Sequence, residues 1–157
     1  MDLSPVCGVN IALGKALGLS DIHPADGINS EHILFVGELP EPLPPKVFAK
    51  HVKSALSSPC VKFYEGSEPV QEVAFCSGAG GQELSVFKES AAQAFVTGEL
   101  KHHEELEAAR LGQTVVMAGH FETEVMFAEE LKQYLQSKSD SVEWILSACE
   151  TSALKVL

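Results

Sequence analysis

Ionisable and glycine-rich segments recur at three points of the chain, each where a predicted strand gives way to a predicted helix. These three junctions are residues 76–81, 97–103 and 118–124. Carboxylates and imidazoles bind divalent metal ions and transfer protons, and ligands bind at the carboxyl ends of parallel strands. Three such junctions in close succession therefore predict one functional site at the end of a sheet.

The third junction has the donor types that a metal ion needs. His120 and Glu124 are four residues apart at the start of a predicted helix, so their side chains lie on one face, one turn apart. An imidazole nitrogen and a carboxylate oxygen can then bind one divalent ion together with ligands from elsewhere. The alternative is a surface pair that stabilises the helix by about 0.2–0.5 kcal/mol, and spacing alone favours this alternative.

The second junction offers groups for proton transfer. Glu99, His102 and His103 follow a short apolar strand. Adjacent histidines on a helix point about 100° apart, so these two serve different partners. A histidine can act as an acid or a base near neutral pH. The pattern supports equally well a solvated helix start, where Glu99, Glu104 and Glu105 interact favourably with the helix dipole.

The first junction is the glycine-rich turn Cys76-Ser77-Gly78-Ala79-Gly80-Gly81. Such a turn lets the backbone approach a ligand, and N–H groups at the start of the next helix favour an anion. We favour the alternative, a tight turn whose glycines adopt positive φ. The segment matches neither GxGxxG nor a P-loop, and no Gly-x-Ser-x-Gly elbow surrounds Ser77.

The apolar pattern predicts the elements that position the junctions. In the first half of the chain we expect a helix at 9–17, a loop at 23–29, a strand at 32–36, a proline-rich connector at 38–45 and a helix at 46–56. Strands at 61–64 and 70–76, separated by a turn, predict an antiparallel hairpin.

Strands and helices alternate in the second half. Helices are predicted at 82–90, 102–111 and 120–136, and strands at 94–97, 114–118 and 142–147. This alternation predicts an α/β fold, a mixed sheet with flanking helices. The length of 157 residues suits a single domain, residues 1–157.

Charge and composition exclude several classes of function. The net charge of −11 argues against broad nucleic-acid binding, although a small anionic or nucleotide ligand still fits a local pocket. No apolar run is long enough to span a membrane, and the N-terminus shows no signal-peptide pattern. We expect a cytoplasmic protein with reduced, mostly buried thiols and no CxxC zinc knuckle. The four cysteines are Cys7, Cys60, Cys76 and Cys149.

In order and spacing, the three junctions resemble the successive motifs of the Nif-three-like family. Its members are also called GTP cyclohydrolase 1 type 2 homologues or dinuclear metal centre proteins. Gly8-Val9-Asn10 and residues 37–42 resemble the family's middle region, so the similarity covers nearly the whole chain. The matching motifs are residues 73–81, Thr97-Gly98-Glu99 with His102-His103, and Gly119-His120 with Thr123-Glu124.

The resemblance implies an α/β fold with mixed sheets and a homo-oligomer, a hexameric ring. It also implies two divalent metal ions per subunit in a cleft facing the ring interior, for which zinc, iron and manganese are all suitable. The Gly-His-x-x-Thr-Glu motif assigns metal ligation to His120 and Glu124. Glu99, His102 and His103 are implied to lie near the ions as catalytic candidates.

The family's remaining metal ligands, a histidine pair and an aspartate, precede its Gly-Val-Asn segment. Asp2 is the candidate for the aspartate, and the histidine pair has no counterpart here. We therefore expect the chain to correspond to the C-terminal portion of a longer family member. Metal binding should be weak in such a portion, because affinity depends on the number of ligands.

Two functions remain open. The first is a divalent-metal-dependent hydrolase acting on a nucleotide-like substrate, since hydrolytic opening of the GTP ring has been ascribed to the family. The second is a non-catalytic protein-interaction or assembly module, which the incomplete ligand set supports. A regulatory domain that senses a small ligand is a variant that the sequence does not separate from the second.

Overall fold

Helices and strands alternate along the chain in the computed structural model, which describes residues 8–25, 33–148 and 152. The helices are α1 (Val9–Ala16), α2 (Pro45–Ala55), α3 (Leu84–Glu89), α4 (His102–Ala108), α5 (His120–Glu124) and α6 (Phe127–Gln136). The strands are β1 (Ser20–Pro24), β2 (Phe35–Leu43), β3 (Lys62–Tyr64), β4 (Val70–Phe75), β5 (Ala94–Thr97) and β6 (Thr114–Met117). A short 3-10 helix, Gly81–Glu83, precedes α3.

The strands of the described part of the chain form one mixed sheet in the order β1-β2-β4-β5-β6-β3. The central strands β4, β5 and β6 are parallel, whereas β1, β2 and β3 pair antiparallel with their neighbours. Every residue of β5 and β6 is buried, as expected for parallel strands covered on both faces. The predicted α/β fold with a mixed sheet and flanking helices is confirmed.

Apolar side chains pack against both faces of this sheet. On one face, Phe75 of β4 belongs to a cluster with Leu13 of α1 and Phe48 of α2. On the other face, Phe95 of β5 stacks on Phe87 of α3, with ring centroids 5.3 Å apart. Successive residues of a strand point to opposite faces, so a sheet covered on both sides needs continuous apolar strands. This packing fixes the strand ends from which the three junctions begin.

The predicted hairpin is wrong. β3 pairs with β6 instead of β4, with Phe63 opposite Val116. Both edges of β4 are already occupied, by β2 on one side and β5 on the other. The turn at 65–69 therefore leads across the sheet. It is anchored at its start, where the Gly66 amide donates to Oγ1 of Thr114 at 3.2 Å.

The prediction of a proline-rich connector at residues 38–45 is also wrong, because β2 continues through this segment to Leu43. Proline removes a backbone donor, so strands accept it where ladder pairing is interrupted. The pairing of β2 with β4 shifts register between Glu38 and Leu43, and Pro40 and Pro42 lie in that interval. The edge strand β1 replaces the first part of the predicted loop, whereas residues 26–32 lie outside the described residues.

Two predictions near the C-terminus differ from the structure. The helix expected at 120–136 is divided into α5 and α6, because the Ala128 amide donates to the carbonyl of Val125 three residues earlier. Residues 142–147 do not form a strand. Their side chains are mostly exposed, Ile145 by 78%, so neither burial nor pairing favours strand formation there. None of the described helices combines the length and the apolar composition needed to cross a bilayer.

The expectation of buried thiols is confirmed for Cys76 and wrong for Cys60, which is exposed. Cys76 lies at the end of β4, where burial raises the pKa of its thiol to about 12. The thiolate is the reactive form, so Cys76 is a structural residue rather than a nucleophile. Cys7 and Cys149 lie outside the described residues.

Candidate metal centre

Parallel pairing of β4, β5 and β6 places the three junctions side by side at one end of the sheet. The amide of Gly98 donates to the carbonyl of Gly78 at 2.8 Å, and the amide of Gly119 donates to the carbonyl of Gly98 at 2.9 Å. Ala79 and Glu99 form a further parallel bridge. The backbone ladder thus continues beyond the strands, and the second and third junctions lie against the glycine turn of the first.

Gly119 makes the sharp turn from β6 into α5. Its φ is +102°, a conformation that L-residues with a side chain rarely adopt. A Cβ at this position would also lie 2.0 Å from Oε2 of Glu122. The glycine therefore allows His120 to begin α5 directly above the junctions of β4 and β5.

The His120 imidazole lies between two carboxylates. Its Nδ1 is 3.0 Å from Oε1 of Glu99, and its Nε2 is 3.2 Å from Oε1 of Glu124. The three side chains are about half exposed, by 50%, 60% and 45% for His120, Glu99 and Glu124. The predicted i,i+4 pair is therefore present, and it has gained a third member from the second junction.

The two carboxylates change the acid–base behaviour of His120. The pKa of the imidazole lies above its ordinary value. The largest cause is the hydrogen bond to Glu99; partial burial acts in the opposite direction, and the charge of Glu124 adds to the increase. A protonated imidazole is thus stabilised in the metal-free protein, and a cation at Nε2 would replace that proton.

Gly78 lies directly against the side chains of His120 and Glu124. Its φ is +66°, which confirms the predicted positive φ for this glycine of the turn, whereas the φ of Gly80 is −98°. A Cβ on Gly78 would lie 2.8 Å from Oε1 of Glu124 and 3.1 Å from Nε2 of His120. The absence of a side chain here leaves the space that both groups occupy.

Two amides of the same turn already have partners within the protein. The Gly78 amide donates to Oγ1 of Thr123 at 3.1 Å, and the Gly80 amide donates to the carbonyl of Glu99 at 3.3 Å. At Gly81, a Cβ would lie 2.1 Å from the carboxylate of Glu104. The negatively charged carboxylate of Glu104 thus occupies the space in which an anion would have to bind.

His102 and His103 lie at the exposed start of α4. Nε2 of His103 is 3.9 Å from Oε1 of Glu104, and the His103 side chain is 76% exposed. The charge of His102 acts on Glu105, whose pKa lies below its ordinary value mainly because Lys62 donates a hydrogen bond to it. Within the described residues, neither histidine forms a hydrogen bond or ion pair with His120. The structure therefore places Glu99 in contact with His120, whereas His102 and His103 have no such contact with it among the described residues.

The donors present fit part of a divalent metal site. Two ligands that each bind one ion at about 2.1 Å lie roughly 3.0–3.4 Å apart, depending on coordination geometry. The 3.2 Å between Nε2 of His120 and Oε1 of Glu124 falls in this range. Metal-binding histidines usually donate their other ring N–H to a carboxylate, which is the position of Glu99. The described residues contain no group of three or more His, Cys, Asp or Glu side chains suited to one ion, and Asp2 lies outside them.

Two buried polar residues hold the first junction, and sequence reasoning assigned neither of them a role. Oδ1 of Asn10, on α1, accepts a hydrogen bond from the Ser77 amide at 2.8 Å. Oγ1 of Thr123, on α5, accepts one from the Gly78 amide. The sequence did mark both residues, because Asn10 and Thr123 lie within the segments that resemble the Nif-three-like motifs. Both are polar residues in buried positions.

Comparison with known proteins gives one family. The family model described as Duf34/NIF3 (NGG1p interacting factor 3) matches residues 1–153 of this chain. The GTP cyclohydrolase 1 type 2 homolog of Pseudomonas aeruginosa is 29% identical over 153 residues, which cover 98% of this chain and 60% of that protein. The protein of the same name from Pyrococcus abyssi is 32% identical over 139 residues, which cover 88% of this chain and 55% of that protein.

A solved structure supports the same fold. The crystal structure of the Staphylococcus aureus hypothetical protein SA1388 matches with a TM-score of 0.85 over 99% of this chain and 66% of that chain. The identity of 22% shows the fold alone. The chain spans 60% or less of the length of the two curated relatives.

Proposed function

The chain belongs to the Duf34/NIF3 family, and we propose that it is a divalent-metal-dependent hydrolase acting on a nucleotide-like substrate. The observation that carries this proposal is the His120 imidazole held between Glu99 and Glu124 at the end of the parallel strands. The relatives' printed name, GTP cyclohydrolase 1 type 2 homolog, supports the choice of substrate class.

Each residue of the centre has a distinct role in this proposal. Nε2 of His120 and the carboxylate of Glu124 bind a divalent ion, with Asp2 as a further ligand. Glu99 accepts the Nδ1–H of His120, which orients the ring and leaves Nε2 free to bind. A pair of divalent ions, with zinc, iron or manganese as candidates, would supply the Lewis acid for hydrolysis.

Proton transfer is the second requirement. Glu99 is more than half exposed, so its second oxygen can exchange protons with a substrate in the crevice. His102 and His103 are the first two residues of α4, and both are exposed to solvent. We propose them as further proton carriers, with Glu99 as the first candidate because it contacts His120 directly.

The charge of the centre makes substrate binding depend on the metal. Glu99 and Glu124 contact His120, Glu104 lies beside Gly81 of the glycine turn, and the chain carries a net charge of −11. An anionic substrate is repelled by these carboxylates, and a divalent cation at His120 offsets two of their charges and supplies a positive centre for the anion to contact. A nucleotide-like ligand should therefore bind only to the metal-loaded protein.

Substitution of His120 tests the proposal. The purified protein should contain a transition metal by elemental analysis and hydrolyse GTP in its presence. His120→Ala should lower both the metal content and the turnover more than roughly 10-fold, because it removes a ligand. His23→Ala is the matched control, since His23 is an exposed histidine on the edge strand β1, and it should change neither quantity. A wild-type protein without metal, whose GTP turnover His120→Ala leaves unchanged, would contradict the proposal.

A second function, a protein-interaction or assembly module, is supported by apolar surface near the C-terminus. Five apolar residues between the end of α5 and the end of the described chain are exposed. They are Val125, Tyr134, Val142, Ile145 and Leu146. Exposed apolar side chains can take part in a protein–protein contact, and self-association into a ring is one such use. Absence of metal and turnover, together with a stable oligomer in light scattering, would favour this function over hydrolysis.

A further inference from the structure

Thr123 is a fully buried polar residue at the point where the three junctions meet. Its exposure is 0%, although α5 around it is short and partly exposed. Its Oγ1 accepts a hydrogen bond from the Gly78 amide at 3.1 Å. The same hydroxyl donates towards the carbonyls of Gly119 and His120, each 2.9 Å away. One hydroxyl thus connects the first junction with the backbone of the third.

The partner of this hydroxyl, Gly78, is held on both sides of its peptide unit. Its carbonyl accepts hydrogen bonds from the Gly98 amide at 2.8 Å, from the Glu99 amide at 3.0 Å and from Oγ1 of Thr97 at 3.0 Å. Its amide has Thr123 as its partner. The second junction therefore fixes the carbonyl of Gly78, and Thr123 fixes its amide.

Close packing makes this arrangement sensitive to small shifts. A Cβ on Gly98 would lie 2.8 Å from Oγ1 of Thr123 and 2.9 Å from Cα of His120. Gly98 of the second junction therefore limits movement of α5 towards it, and the hydrogen bond from the Gly78 amide to Thr123 limits movement of α5 away from the glycine turn. The position of His120 above Gly78 depends on both restraints.

We propose that Thr123 is a positioning residue whose buried hydroxyl fastens α5 to the glycine turn and so holds His120 and Glu124 at the separation that one divalent ion requires. This inference rests on the proposed metal-dependent function. Threonine suits the task because its hydroxyl can accept from one backbone group and donate to another, while its methyl group fills buried space. Valine keeps the shape and loses both hydrogen bonds.

The test compares Thr123→Val, Thr123→Ser and Thr114→Val with the wild type. Thr114 is the matched control, because it is equally buried and its Oγ1 also accepts a backbone amide, that of Gly66, away from the site. Zn²⁺ affinity is measured by competition with a chromophoric chelator, and thermal unfolding is recorded for each variant. Thr123→Val should bind Zn²⁺ about 10–100-fold more weakly, as for other groups that support metal ligands. Thr123→Ser and Thr114→Val should bind within about threefold of wild type, on the same reasoning that their metal ligands keep their support.

A second measurement is independent of metal. Hydrogen exchange of the Gly78 amide, followed by NMR in the metal-free protein, should be faster in Thr123→Val and unchanged in Thr114→Val. Unchanged exchange at Gly78, or Zn²⁺ affinity equal to wild type in Thr123→Val, overturns the positioning role. Failure of the wild type to bind Zn²⁺ would instead contradict the proposed function, and the exchange measurement would still decide whether Thr123 fastens the turn.

Discussion

At the scale of single residues, the two carboxylates beside His120 have different consequences. Glu99 faces Nδ1 and can accept a hydrogen bond from it, whereas Glu124 faces Nε2, the nitrogen that would bind an ion in the proposed site. Without metal, both stabilise the charged ring and raise its pKa. The same contacts would orient His120 for the proposed metal site, and they give the metal-free protein a measurable signature in the His120 pKa.

Glu99→Gln should lower the pKa of His120 towards its ordinary value of about 6.5. The hydrogen bond from Nδ1 to the Glu99 carboxylate is the largest cause of the raised value, and an amide carries no charge. NMR titration of the His120 ring in metal-free protein measures the shift. Glu107→Gln, an exposed substitution on α4, serves as the control. An unchanged midpoint in Glu99→Gln would show that Glu99 does not set the pKa.

The raised pKa of His120 also determines how this residue changes the stability of the fold with pH. The folded-state pKa of His120 is raised above its unfolded value, so the contribution is fully present below the unfolded pKa and is lost as the pH rises through the folded one. Because the three side chains are about half exposed, solvent screening keeps this contribution small.

The sequence predicts some of these residue contacts and not others. The spacing of His120 and Glu124 is local, so helix geometry alone brings them together. The contact between Glu99 and His120 spans 21 positions and depends on the parallel pairing of β5 with β6. Residue type alone marks His102 and His103 as candidates, whereas the structure places His103 beside Glu104 and lets the charge of His102 act on Glu105.

At the scale of elements, helices on both faces hold the strand ends in register. α3 contributes Phe87, which is fully buried and stacks on Phe95 of β5. The contact of α4 with β3 is of a different kind, an ion pair between Lys62 and Glu105 in which Lys62 is 68% exposed. Buried aromatic surface contributes far more to stability than an exposed ion pair, so the packing of Phe87 in α3 should stabilise the fold more than the ion pair between α4 and β3 does.

This difference predicts the outcome of two substitutions. Phe87→Ala should lower the free energy of unfolding by about 3–5 kcal/mol, because it removes buried ring contacts and leaves a cavity. Lys62→Ala should lower it by no more than about 1 kcal/mol. Urea denaturation monitored by circular dichroism measures both. Equal losses in the two variants would contradict the assignment of stability to the aromatic contact.

Element types from β4 to α6 are well predicted, apart from the division of the last helix, and strand partners are not. β5 and β6 are short apolar runs between glycine-containing turns, a local signal. The partner of β3 cannot be read locally, because it depends on β2 and β5 already occupying the edges of β4. β1 carries exposed residues at most positions, so its sequence lacks the apolar alternation that reveals a strand.

At the scale of the whole molecule, the centre lies at one end of the sheet in a chain that spans 60% or less of its curated relatives. The described residues supply two donors for an ion and one carboxylate that orients the ring. Affinity rises with ligand number, so any ligand contributed from outside the described residues should strengthen metal binding. The acidic net charge favours capture of a cation before an anionic substrate.

Zn²⁺ binding followed by isothermal titration calorimetry measures directly whether His120 and Glu124 hold a metal ion. The wild-type protein should bind Zn²⁺, and Glu124→Gln should bind it roughly 10-fold or more weakly, because a neutral amide replaces a charged ligand. Glu129→Gln, which alters an exposed glutamate on α6, should bind like the wild type. A wild-type protein that binds no Zn²⁺, or a Glu124→Gln variant that binds it as tightly as the wild type, would contradict a metal centre at His120 and Glu124.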